Sequence, residues 1–177
     1  MTDFAGLYRK YARDVHRFAT FLTGDPALAD DVVSETFIRL WSARARIDLT
    51  TVRSYLLTIA RNLVLHERRH LRRLASLDDG DAAGADAGPD PEERLRSRQE
   101  LRSVLAALQV LPEVDRAALL MRAEGVMTYE EIAAALGITT AAAKVKVHRA
   151  RLRLAGARLP AGARLAGSTA KRKEDAR

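Results

Sequence analysis

Residues 129–150, YEEIAAALGITTAAAKVKVHRA, have the pattern of two short helices joined by a tight turn. Thr128 stands just before them with Glu131 three residues on, which is the spacing of a capping box at a helix start. Gly137 supplies the left-handed backbone that such a turn needs. The stretch therefore predicts a helix-turn-helix. Small and apolar residues at helical spacing form its inward side, namely Ile132, Ala133, Leu136, Ile138, Ala143, Val147 and Ala150.

The second of these helices is basic on the side opposite its apolar stripe. The residues expected on that side are Lys144, Val145, His148, Arg149 and Arg151, with Lys146 and Arg153 at its flanks. A helix that presents cations opposite its core is suited to docking in the DNA major groove. The alternative interpretation is an ordinary helical hairpin with a solvated basic face.

Charge is spread unevenly along the rest of the chain, whose net charge is +7. Residues 1–75 carry 13 Lys and Arg against 8 Asp and Glu, and residues 94–177 carry 17 against 8. Residues 76–93 between them carry seven acidic residues and no basic one. Two basic blocks separated by an acidic strip indicate polyanion-binding domains joined by a tether that does not bind DNA.

Helical periodicity and the absence of strand alternation predict an all-α fold with two small helical domains. The first, residues 1–75, should contain three helices, with Trp41 and Tyr55 among the apolar residues facing its core. Residues 76–93 are rich in Asp, Gly, Ala and Pro and predict a flexible acidic linker. Residues 94–155 form the second domain, and residues 156–177 predict a disordered basic tail.

Composition narrows the setting in which the chain works. The absence of Cys excludes disulfides and thiolate metal ligands and fits a reducing compartment. No apolar run reaches the length of a transmembrane helix, and residues 1–10 lack the apolar core of a signal peptide. These features predict a soluble cytoplasmic protein with no membrane insertion.

One motif favours a different chemistry. His66, Glu67 and His70 match H-E-x-x-H, in which two histidines one helical turn apart bind zinc and the glutamate acts as general base. The neighbouring Arg68 and Arg69 would repel a dication, and the sequence shows no obvious third ligand. A zinc metalloprotease is therefore a remote alternative, and we expect no metal, no cofactor and no catalytic residue.

The combination of segments resembles the extracytoplasmic-function (ECF) class of the sigma-70 family of RNA polymerase sigma factors. ALADDVVSETFIRLW, residues 27–41, resembles region 2.2 of that family, and VRSYLLTIARNLVLHERR, residues 52–69, is similar to its regions 2.3–2.4. Residues 108–154, which include the helix-turn-helix, resemble region 4. The three segments occur in the family's order. Ala141-Ala142-Ala143 replaces a common Gly-Thr-Val, which leaves the −35 base preference open.

The resemblance implies a role for each matching position. The residues expected to dock on the clamp helices of the polymerase largest subunit are Asp30, Asp31, Ser34 and Glu35. The loop 45–51 and the helix after it would hold the opened −10 element through Arg53, Arg61 and Asn62. The residues expected to read the −35 element are Lys144, Val145, His148 and Arg149, with Lys146 and Arg151 on phosphates.

The resemblance thus predicts a sigma factor that binds core RNA polymerase, recognises promoter DNA and promotes transcription initiation. It also implies an anti-sigma partner and association with the nucleoid when the chain is bound to polymerase. A stand-alone helix-turn-helix regulator, which would bind its DNA sites without polymerase, is the main alternative.

Overall fold

The computed structural model of the chain describes residues 4–43, 51–74, 91–125 and 127–157. The chain divides into two compact units, residues 1–91 and residues 92–177. The described elements are helical: α1 Phe4–Thr23, α2 Pro26–Ala43, α3 Val52–Leu74, α4 Pro91–Gln109, α5 Glu113–Arg122, a 3₁₀ turn Ala123–Gly125, α6 Tyr129–Leu136 and α7 Thr140–Gly156. This confirms the predicted all-α class. Within these ranges, no helix is both long enough and apolar enough to cross a membrane.

Unit 1 is a bundle of α1, α2 and α3, in which each helix packs against the other two. The start of α2 follows from the dipeptide Asp25-Pro26. The Asp25 carboxylate accepts hydrogen bonds from the backbone N–H groups of Ala27 and Leu28 at 2.9 and 3.2 Å. Pro26 takes the first helical position, where a missing N–H costs nothing. The Asp25-Pro26 dipeptide therefore determines where α2 begins.

The core of unit 1 is made of aliphatic and aromatic side chains from all three helices. Its buried members include Val15, Phe18 and Leu22 of α1, Val32, Phe37 and Leu40 of α2, and Leu56, Ile59 and Val64 of α3. The Arg68 guanidinium donates to the backbone oxygens of Leu22 and Thr23 at 3.2 and 3.3 Å. Since those oxygens have no partner within α1, α3 also caps the end of α1.

Unit 2 contains the predicted helix-turn-helix, formed by α6 and α7, which pack on each other and on α5. Both halves of the capping box are present. The Thr128 hydroxyl accepts from the Glu131 backbone N–H at 3.2 Å, and the Glu131 carboxylate accepts from the Thr128 N–H at 2.7 Å. Gly137 has φ +65° and ends α6, as predicted. The Thr139 hydroxyl then caps α7 by accepting from the Ala142 N–H at 3.1 Å.

Gly137→Ala is expected to destabilise unit 2 by about 1 kcal/mol, because a Cβ is unfavourable at left-handed φ. A Cβ at this position would meet nothing within 4 Å, so the cost comes from the backbone alone. Gly156 is the matched control, since it has equally open space but no positive φ. Gly156→Ala should be neutral or slightly stabilising. Urea unfolding of the full chain, followed through amide signals of α6 and α7, gives both values.

The structure corrects two predicted core positions. Tyr55 and Trp41 were expected to face the core of unit 1, but their side chains are 40% and 47% exposed. Trp41 instead packs edge-on against the Phe4 ring, with centroids 5.0 Å apart. Both residues lie at the margin of their apolar stripe, where a helix with two packing partners leaves a side chain half in solvent.

The domain boundaries can be compared with the helices only in part. α4 begins at Pro91, inside the segment predicted as linker, so residues 91–93 are helical. The rest of that segment, the loop up to residue 50 and the tail beyond residue 157 lie outside the described residues.

Candidate functional sites

The outward face of α7 carries the basic residues that the sequence placed there. α7 turns its buried stripe of Ala143, Val147, Ala150 and Leu154 toward the rest of unit 2. The exposed residues on the other side are Lys144, Val145, His148, Arg149 and Arg151. At 100° per residue these five fall within an arc of roughly 160°. The helix therefore presents a largely basic surface, here called the α7 face, on which Val145 and Leu152 are exposed apolar side chains, and a helix of this size fits the DNA major groove.

Lys146 does not belong to the α7 face. Its ammonium nitrogen lies 3.1 Å from Oδ1 of Asp115, which is a buried carboxylate on α5. The Lys146 side chain is 27% exposed, whereas that of Asp115 is 6% exposed. The predicted phosphate-contacting residue is thus held in an ion pair between α5 and α7. Asp115 was missed in the sequence, although a carboxylate within the apolar run of α5 is a signal of a buried pair.

Tyr129, the first residue of α6, supports one cation of the α7 face. The Lys144 ammonium lies 5.8 Å from the centre of the Tyr129 ring, and the Arg122 guanidinium lies 4.8 Å from it. Arg122 also donates to the backbone oxygen of Met127 at 2.8 Å. Cations near an aromatic ring are attracted to its negative face. The Tyr129 ring therefore lies close to one cation of α5, Arg122, and to one cation of the α7 face, Lys144.

The outward side of α2 carries three carboxylates together with the exposed apolar side chain of Ile38. The four residues expected to contact polymerase, Asp30, Asp31, Ser34 and Glu35, lie within roughly 140° of one another around the helix, opposite its buried stripe. We call this the α2 face. Asp30 lies 3.2 Å from Nε2 of His16 on α1, and Glu35 lies 2.8 Å from Nε of Arg39. The structure therefore brings this predicted set together on an exposed surface.

The three residues expected at the −10 element do not form one surface. Arg53 pairs with the Asp14 carboxylate of α1 at 2.7 Å, and Arg61 is only 8% exposed. Asn62 is exposed. It follows Arg53 by nine residues, which places it about half a turn around α3. Of the three, Asn62 has the most exposed side chain in this conformation.

The H-E-x-x-H residues lie on α3, with His66 and His70 exposed and Glu67 half-buried. Across the described ranges, no three His, Asp or Glu side chains lie close enough together to hold a metal ion. Arg68, inside the motif, is engaged with the end of α1. In this conformation α3 serves as a packing element of the bundle.

Comparison with known proteins matches both units to one family. Residues 7–74 match the profile described as Sigma-70 region 2, and residues 101–154 match the one described as Sigma-70, region 4. The two matches include the α2 face and the α7 face, respectively. They define the chain as a two-domain helical protein that carries a Sigma-70 region 2 module and a Sigma-70 region 4 module.

Full-length relatives agree with that class. The chain is 32% identical to the ECF RNA polymerase sigma factor SigL of Mycobacterium tuberculosis over 81% of its length and 82% of the relative's. It is 33% identical to the RNA polymerase sigma factor CarQ of Myxococcus xanthus, with 82% and 83% covered. It is also 32% identical to SigE of Mycolicibacterium smegmatis, of which it spans 61%. The chain therefore belongs to the sigma-70 family of RNA polymerase sigma factors, in its ECF class.

Solved structures show the same fold. The sigma factor RpoE of Bartonella quintana, crystallised with the anti-sigma factor NepR, aligns with a TM-score of 0.70 over 87% of this chain and 95% of that one, at 24% identity. CnrH, solved with the cytosolic domain of CnrY, aligns with a TM-score of 0.61 over 86% and 84%, also at 24% identity.

Proposed function

We propose that the chain binds core RNA polymerase through the α2 face and the −35 promoter element through the α7 face, and thereby starts transcription. The observation that carries this proposal is the separation of charge between the two units. An exposed acidic surface lies on one unit, and an exposed basic helix of groove-binding size lies on the other. An anionic surface repels DNA and attracts a basic protein, so the two faces suit different partners.

The −10 element is assigned to unit 1, on α3 and the loop before it. Asn62 is exposed and can offer an amide to an unstacked base, which is the kind of contact that holds a flipped nucleotide. Arg53 and Arg61 are engaged or buried in the free chain. Their contribution to promoter contact therefore requires the Arg53–Asp14 pair, or the packing around Arg61, to open on binding.

Regulation by an anti-sigma protein is part of the proposal. It is supported by the likeness in fold to RpoE, which was solved with the anti-sigma factor NepR. We further propose that the chain works in the cytoplasm, with the nucleoid-bound polymerase, and that it carries no catalytic activity or cofactor. Every step assigned to it is binding.

The experiment that tests the proposal is run-off transcription with purified core polymerase and the full chain, followed by mapping of the start sites. A sigma factor co-elutes with core polymerase and gives defined starts that core polymerase alone does not give. A stand-alone helix-turn-helix regulator would bind DNA without polymerase and would not support initiation. That outcome would replace the proposed function.

The zinc protease alternative is tested on the same preparation. We expect no stoichiometric zinc in the purified chain, and no change in run-off transcription when the chain alone is treated with a chelator that is removed before core polymerase and Mg²⁺ are added. Zinc that is bound one to one and lost in His70→Ala, together with peptidase activity that is lost in both His70→Ala and Glu67→Ala, would instead establish a metal site on α3.

A further inference from the structure

We propose that Asp115 is a positioning residue for α7, and that its carboxylate withholds Lys146 from the DNA backbone. This inference rests on the proposed function, because it concerns the DNA contact of the α7 face. It assigns Asp115 a role of its own and removes Lys146 from the set of phosphate-binding residues.

The first step is the burial of the pair. Asp115 is 5% exposed, and its Oδ1 atom is 3.1 Å from the Lys146 ammonium nitrogen, across 31 residues of sequence. A buried carboxylate is unfavourable unless a cation or hydrogen-bond donor faces it. Lys146 supplies both. Separating the pair would leave the Asp115 carboxylate buried without a partner, which is unfavourable. Because Lys146 is itself half-buried, its side chain also has few other conformations available.

The second step is the direction of the side chain. Lys146 follows Lys144 by two residues, so the two leave α7 about 200° apart. Lys144 is exposed on the α7 face, whereas Lys146 leaves at the edge of the buried stripe that contains Val147 and Ala150. A lysine tied to α5 at that edge resists rotation of α7 about its axis. The pair therefore keeps the α7 face turned away from α5.

The third step is the consequence for DNA binding. Each cation that neutralises a phosphate releases counterions, and it adds about 0.9 to the slope of log affinity against log salt concentration. A lysine already neutralised by Asp115 adds nothing to that slope. Asp115→Asn keeps the shape of the side chain but removes its charge, which frees Lys146 to reach a phosphate.

We therefore expect Asp115→Asn to steepen the salt dependence of binding by about 0.9, measured with the full chain on a mixed-sequence duplex of about three helical turns. Between 50 and 200 mM salt its affinity should fall about 3- to 4-fold more than that of the unaltered chain. Lys146→Gln keeps a hydrogen-bond donor for Asp115 and should leave the slope unchanged. The double variant should also match the unaltered chain.

Two control substitutions distinguish the release of Lys146 from a general change in charge and test the DNA contact of the α7 face itself. Glu130→Gln removes one exposed negative charge from α6, so it matches the charge change of Asp115→Asn without releasing a lysine. Its effect should be the same with or without Lys146→Gln. Arg151→Gln should make the slope shallower by about 0.9, because Arg151 is the exposed cation of the α7 face that is expected on a phosphate. If it does not, the proposed −35 contact fails, whatever Asp115 does.

Thermal unfolding of the same full-length variants tests the pair without DNA. The effects of Asp115→Asn and Lys146→Gln should be strongly non-additive, since each removes the same ion pair. The proposal is overturned if Lys146→Gln makes the slope shallower by as much as Arg151→Gln does. Additive unfolding effects would overturn it too. If Asp115→Asn does not fold, the salt dependence of DNA binding measured for Lys146→Gln still tests the proposal.

Discussion

A chain carrying both Asp31→Lys and Glu35→Lys is expected to lose measurable binding to core RNA polymerase. Both side chains lie on the exposed α2 face, and neither is part of the core of unit 1. Reversing two charges turns attraction toward a basic partner into repulsion. Like charges facing each other across an interface cost several kcal/mol, which corresponds to a loss of at least about 100-fold in affinity.

Loss of folding would not explain this result. Glu35 pairs with Arg39 within α2, and such an exposed pair stabilises a helix by only about 0.3–0.5 kcal/mol. Titration of the chain against core polymerase, with circular dichroism of the free variant, distinguishes the two causes. Glu174→Lys with Asp175→Lys makes the same charge change outside both family matches and should bind normally. A doubly reversed α2 face that still binds would show that polymerase docks elsewhere.

The helix-turn-helix could be predicted from the sequence because its determinants are local. Thr128 and Glu131 cap one another across three residues, and Gly137 ends α6 through its own backbone conformation. The inward and outward sides of α7 follow from a helical period that needs no knowledge of the partner helices. The exposed residues of the α7 face were therefore identified correctly.

The pairs between helices could not be predicted in the same way. Lys146 and Asp115 are 31 residues apart, and Arg68 reaches backbone oxygens 45 and 46 residues away. Periodicity gives the side of a helix on which a residue lies, but it does not give the neighbour it meets there. This is also why Arg53, expected at DNA, is found against Asp14.

Of the two other differences, the start of α4 had a signal in the sequence and the exposure of two aromatic rings did not. Asp90-Pro91-Glu92-Glu93 carries the same start pattern as Asp25-Pro26, so the beginning of α4 at Pro91 could have been read from the sequence. Tyr55 and Trp41 are different, because an aromatic ring at the edge of an apolar stripe fits either a core or a half-exposed position. The packing of the neighbouring helices determines which of these two positions the ring occupies.

Lys144→Ala together with Arg149→Ala is expected to weaken promoter binding by the holoenzyme at least about 30-fold, since a base contact from each residue contributes about 1–3 kcal/mol. Both side chains are exposed on the α7 face, so their removal leaves the core of unit 2 intact. Binding to core polymerase should be unchanged, because that contact belongs to the α2 face. Filter binding of holoenzyme to a mapped promoter gives the first quantity, and titration against core polymerase gives the second.

The matched control removes two cations from another helix of the same unit. Arg98→Ala with Arg102→Ala on α4 changes the net charge equally but leaves the α7 face complete, so promoter binding should fall by much less. A general loss of positive charge would weaken both variants alike. If the α7 variant and the doubly reversed α2 variant both lost core binding and kept DNA binding, the division of labour between the two units would be wrong. The two variants should have opposite outcomes, because an acidic surface and a basic helix cannot serve the same partner equally well.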